Sequence, residues 1–205
     1  MSSVVLLHRD PQVGARLAQA IAATPGLVVG GVAGGLPALR ELFAPGLPDA
    51  LVVDLMLPPA HVKALLRDLR SNSRDGGPQV LVLAVSADDP RVMEALRDGA
   101  DAYFAQADAL LSLPETIEQL LRGESAMTPQ IARQLKSHFE TGPHHAPALA
   151  EADRRLLQWT AEGFLVAEVA GALQITVSGV GERMHELYRQ LQRDLRDRKV
   201  TLTAA

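Results

Sequence analysis

The feature that most limits how this chain can fold is an alternation. Short apolar runs at residues 4–7, 27–29, 50–54, 80–85 and 102–105 are each followed by a stretch whose apolar residues recur at helical spacing. The first such stretch carries Val13, Leu17, Ala18 and Ile21, and a later one carries Val62, Leu65, Leu66 and Leu69. A strand that lacks polar alternation must be covered on both faces, and connections of helical length supply that cover. Five strands interleaved with five helices in residues 1–122 predict a doubly wound, five-stranded parallel α/β sheet with right-handed crossovers. Two helix starts are marked directly. Asp10-Pro11 and Asp89-Pro90 each set a capping carboxylate before a proline at the first helical position.

Asp54 closes the third apolar run. In open parallel sheets, ligands sit in the crevice beyond the carboxyl ends of the strands, so a charge at that edge is a candidate site. With 205 residues the chain has room for a second, smaller domain, and 47% hydrophobic with 21% charged residues is an ordinary globular composition. Cysteine is absent, which excludes disulfides and thiolate metal sites. No segment approaches the roughly 20 apolar residues of a membrane span, so a cytoplasmic protein with no membrane contact is expected. No Gly-rich phosphate loop, metal triad or nucleophile–base pair is visible, and neither an enzyme activity nor a cofactor is expected.

Three stretches together carry a resemblance: Pro48-Asp49-Ala50-Leu51-Val52-Val53-Asp54-Leu55-Met56-Leu57-Pro58, then Ser86, then Gly99-Ala100-Asp101-Ala102-Tyr103-Phe104. Residues 1–122 resemble the receiver domain of two-component response regulators, a flavodoxin-like fold. The resemblance makes Asp54 the counterpart of the phosphoryl acceptor, Ser86 that of the hydroxyl that bonds the phosphate, and Tyr103 that of the aromatic whose rotation reports activation. The remainder of that pocket departs from the family. His8-Arg9 stand where two Mg²⁺-binding acids belong, and Gln106 stands where the family has lysine. An arginine contributes no oxygen ligand and repels the ion, and phosphoryl transfer depends on cationic charge at the developing anion. Asp10 is the nearest spare carboxylate, with capping the first helix as its expected role. The expectation is a degenerate receiver in which Arg9 satisfies Asp54 directly.

Beyond residue 122 the sequence predicts a linker over 123–148, with a helix at about 129–139 started by Thr128-Pro129, and a helical domain over 149–205. His144-His145 has no spaced third ligand, so no metal site is expected there. Leu149, Ala152, Leu156 and Leu157 line one helix, and Val166, Val169, Ala170 and Leu173 a second. After the turn Gln174-Ile175-Thr176, a third buries Val180, Met184, Leu187, Tyr188 and Leu191 and runs on to about Arg198. Two helices joined by a tight turn and braced by a third predict a small all-α helix-turn-helix domain, whose second helix can enter a major groove.

Ala161-Glu162-Gly163, Glu168-Val169-Ala170, Ile175 and Leu187-Tyr188-Arg189-Gln190-Leu191 extend the resemblance to the LuxR-type DNA-binding domain of the FixJ/NarL regulators. In that family a Thr-Val-Lys segment opens the recognition helix, and the matching residues here are Gly179, Val180 and Gly181, followed by Glu182. Two glycines there predict a frayed first turn. Candidate DNA contacts are Thr176, Ser178 and Val180 at the start of the helix and Arg183, Arg189 and Arg193 along it. Residues 149–205 hold 8 acids and 8 bases, a neutral balance that does not itself attract phosphate. The resemblance implies a promoter-binding homodimer, with a histidine kinase or another regulatory protein as a further partner. A module that acts through protein contacts alone is the alternative.

Overall fold

The computed structural model describes residues 1–72, 77–105, 112–141 and 149–203. Gln106 and the His144-His145 pair lie outside the described residues. The chain divides into two compact units, Met1–Arg122 and Gly123–Ala205.

The first unit contains β1 (Ser2–Leu7), α1 (Pro11–Ala22), β2 (Leu27–Ala33), α2 (Leu36–Phe43) and β3 (Ala50–Asp54). It continues with α3 (Pro59–Asn72), β4 (Gln79–Ala84), α4 (Pro90–Asp98), β5 (Ala102–Ala105) and α5 (Leu113–Leu121). All strand pairings are parallel, in the order β2-β1-β3-β4-β5, so the predicted doubly wound sheet is the observed one. Successive strand residues face opposite sides. Val4, Leu6, Val52, Leu81, Leu83 and Phe104 meet Leu17 and Ile21 of α1 and Leu113, Ile117 and Leu120 of α5 in one apolar cluster. The alternate set, including Val5, Leu7, Leu51, Val53 and Val82, is equally buried on the other side.

Strand β2 is longer than its apolar run. Gly30-Gly31 reads as a strand end, yet it is a bulge: Val4 pairs with Val29 and Val5 with Gly31, leaving Gly30 as the extra residue. Gly31 has φ +150°, and a Cβ there would lie 2.6 Å from Leu42 Cδ2, so the position admits glycine alone. At the opposite side of the unit Arg70 is tied to Asp101, whose Oδ2 also accepts the Val80 amide at 2.8 Å, and Arg70 Nε donates to the Gly99 carbonyl at 2.8 Å.

The second unit contains α6 (Pro129–Thr141), α7 (Glu151–Glu162), α8 (Val166–Leu173) and α9 (Val177–Thr203). The linker expected over 123–148 is corrected for its first part. Residues 123–141 fold onto the helical domain, with α6 packed on α7 and His138 Nε2 bonded to Asp194 Oδ2 at 2.8 Å. A polar, proline-containing stretch looked like a connector because its apolar side, Ile131, Ala132 and Leu135, is short. The turn between α8 and α9 is closed by Gln174 in the left-handed region, φ 56°. The first turn of α9 is helical from Val177, against the expected fraying. Thr176 Oγ1 caps it by accepting the Gly179 amide at 3.0 Å. No described helix is long and apolar enough to cross a membrane.

Candidate functional site

The strand order reverses between β1 and β3, so the loop after β1 and the end of β3 share one crevice. The register pairs Leu7 with Val53, which sets residue 8 level with Asp54. Asp54 is buried, 1% exposed. Its Oδ1 accepts the Met56 amide at 2.7 Å, and its Oδ2 accepts the Arg9 amide at 3.4 Å. The same Oδ2 lies 3.8 Å from Arg9 Nε and 3.8 Å from His8 Nε2. His8 is itself buried, and its Nδ1 lies 3.0 Å from the Asp10 amide nitrogen. The same Nδ1 lies 3.0 Å from the Asp10 carbonyl oxygen, and Nε2 is the ring nitrogen that faces Asp54.

Asp10 takes the capping role expected of it. Its Oδ1 accepts the Gln12 amide at 2.8 Å and the Val13 amide at 3.2 Å. These amides, Val13 first, hold its carboxyl below the ordinary aspartate value. Its charge is thus directed at the helix and not at Asp54. Ser86 is exposed, and its hydroxyl accepts the Asp88 amide at 3.3 Å; the hydrogen bonds of Asp54 do not include it. Tyr103 is buried within β5 at 7% exposure.

One member of the site escaped the sequence. Arg91, in the first turn of α4, donates Nη1 to the Leu55 carbonyl at 3.1 Å and Nη2 to Met56 Sδ at 3.2 Å. Its bond to Asp89 raises its pKa, with the field of Asp54 adding in the same direction. A cation in a helix's first turn opposes the helix dipole, which is the signal that a nearby anion holds it there. Asp54 thus faces His8 and Arg9 at 3.8 Å and lies within the field of Arg91. A divalent cation needs several oxygen ligands, and one carboxylate faced by the nitrogen groups of His8 and Arg9 does not fit Mg²⁺.

In the helical unit the candidate DNA contacts are scattered among several tasks. Thr176 caps α9, and Ser178 Oγ donates to Glu124 Oε1 at 2.8 Å. Val180 is fully buried and belongs to the core, which corrects its assignment as a DNA contact: it lies on the same face as Met184, Leu187 and Leu191. Arg183 Nη1 pairs with Asp153 Oδ1 at 2.8 Å, and Arg193 pairs with Glu186. Arg189 is half-buried, whereas Glu182 and Glu186 are exposed.

No protein-family model matches the sequence. The nitrate/nitrite response regulator NarL of Escherichia coli is 26% identical over 195 residues, covering 93% of this chain and 89% of its own. Among solved structures, the RcsB response regulator of Salmonella typhimurium superposes with a TM-score of 0.53 at 20% identity over 93% of this chain and 91% of that one. A complex of the two-component response regulator RcsB with DNA gives 0.54 at 18% identity, over 95% and 97%. Those likenesses run through both units, sheet and helices alike. In the order of its units and in its fold, the chain is similar to response regulators of the NarL type.

Proposed function

We propose that this chain is a DNA-binding transcriptional regulator whose receiver domain works without phosphorylation. The observation that carries the second half is the occupation of Asp54. Its Oδ2, an oxygen that would attack a phosphoryl donor, already accepts the Arg9 amide and faces the Arg9 and His8 side chains. The charge that Mg²⁺ supplies in a phosphotransfer pocket is here fixed in side chains, so the pocket carries its compensation permanently. Arg91 braces the same edge from α4 by its bond to the Leu55 carbonyl.

The first half is supported by the helix-turn-helix α8–α9 and by the likeness to a regulator solved with DNA. A homodimer acting on promoter DNA in the cytoplasm is the form this reading takes, with a histidine kinase not required for binding. The test is to incubate the protein with Mg²⁺ and a small phosphodonor and to titrate treated and untreated samples against promoter fragments. Equal, saturable binding with no mass gain supports the reading. A stoichiometric mass gain that disappears in Asp54→Asn overturns phosphate independence. Absence of binding in every sample overturns the DNA half and leaves a module that acts through protein contacts.

A further inference from the structure

The residues just before α6 lie along α9. The Ser125 amide donates to the Gly181 carbonyl at 3.0 Å, and Ser125 Oγ lies 3.1 Å from His185 Nδ1. Tyr188 Oη donates to the Ala126 carbonyl at 2.7 Å, and Ser178 Oγ donates to Glu124 Oε1 at 2.8 Å. Residues 178, 181, 185 and 188 recur at intervals of three and four, so they form one stripe of the helix. That stripe lies beside the core stripe of Val180, Met184, Leu187 and Leu191 and covers the first three turns. The N-terminal turns of the second helix of a helix-turn-helix are the part that meets base edges.

Gly181 makes the fit specific. A Cβ at that position would lie 3.1 Å from Glu124 Cβ and 3.5 Å from Glu124 Cγ, so even alanine would press on the segment. Position 181 is also the one that matches the lysine of the family's Thr-Val-Lys segment. Glycine at this position leaves room for Glu124, whose carboxylate is held against the start of α9 by Ser178 Oγ.

We infer that Glu124-Ser125-Ala126 is an intramolecular strap that competes with DNA for α9, and that binding requires its release. This inference rests on the DNA-binding reading above. The strap follows α5 in the chain after only Arg122 and Gly123. In a population description, the apparent affinity falls in proportion to the open fraction, so a strap open about one-tenth of the time weakens binding about tenfold.

The 205-residue chain provides the test, because it has no cysteine of its own. In Glu124→Cys/Gly181→Cys, the two Cβ atoms stand within a few tenths of an ångström of the roughly 3.5–4.5 Å that a disulfide spans. The expected result is that the oxidised protein loses saturable duplex binding and that reduction restores it. The single variant Glu124→Ala, which needs no crosslink, is expected to bind about tenfold tighter than the unaltered chain. Equal binding by the oxidised and reduced proteins, with Glu124→Ala unchanged, overturns the strap and leaves DNA binding intact. Failure of the unaltered chain, the reduced protein and Glu124→Ala to bind any duplex overturns the DNA-binding reading and the strap with it.

Discussion

The proposition that Arg9 takes the place of a bound cation is open to a double-mutant cycle. Two unit charges about 4 Å apart attract by about 4 kcal/mol at an effective dielectric of about 20. The Arg9 and Asp54 side chains are separated by 3.8 Å, and Asp54 is 1% exposed, but the Arg9 side chain is 56% exposed. Solvent on one partner reduces such pairs to the order of 1 kcal/mol. The backbone amides of Arg9 and Met56 survive substitution of the side chain, so Asp54 retains two donors. Arg9→Ala is expected to destabilise the receiver unit by about 1–2 kcal/mol, and the same change in an Asp54→Asn background by far less, a coupling of about 1 kcal/mol. Urea unfolding followed by far-UV circular dichroism measures it. The fluorescence of Trp159, the sole tryptophan, follows the helical unit separately. Because Arg9 is half in water, the coupling should shrink at high salt. A coupling within about 0.3–0.5 kcal/mol of zero at low salt would be indistinguishable from independent sites and would refute the role given to Arg9.

Two further expectations concern stability. Arg70→Ala removes the guanidinium paired with Asp101, which is fully buried and keeps the Val80 amide, and a loss of about 3 kcal/mol is expected in the same unfolding assay; a loss under about 1 kcal/mol would mean that the pair is dispensable. Asp10, Asp49 and Asp89 are all held below the ordinary value of 3.8 by donors made only in the fold: the Val13 and Gln12 amides, the Ser3 amide and hydroxyl, and the Arg91 guanidinium. A lowered folded pKa means that the unfolded chain takes up protons first on acidification. Their contribution is complete above the unfolded value and declines as the pH falls below 3.8 toward their folded values. Thermal melts between pH 6 and 3 should show this decline, and Asp49→Asn should flatten it; an unchanged slope in that variant would remove Asp49 from the account.

The sheet was legible because each strand is apolar without alternation and each is followed by a helix with its own cap. Asp54 was legible because a carboxylate ends a strand at the reversal of strand order. What the pattern could not carry was direction. His8-Arg9 reads as a polar pair after a strand, and only the register with β3 shows that both face Asp54. Arg91 was hidden by its position in a helix that already had a complete start signal in Asp89-Pro90. The strap was hidden for the opposite reason. Glu124-Ser125-Ala126 is too short and too polar to show periodicity, and its partners are some 54 to 62 residues further along the chain. Gly181 lowers the helix propensity of α9 and leaves the room that Glu124 fills, a contact that no local pattern encodes.

The bulge in β2 has a consequence for how the protein behaves in crowded solution. As an outermost strand of the sheet, β2 offers a row of unpaired backbone groups, and Val28 and Val32 are 43% and 38% exposed beside it. Such an edge is a template on which another extended chain can grow. Gly30 divides the strand into Leu27–Val29 and Gly31–Ala33, and the extra residue bends the edge between them. An incoming strand would find two short segments out of line with each other, neither long enough to hold it. The bulge thus interrupts the template along one of the two edges of the sheet.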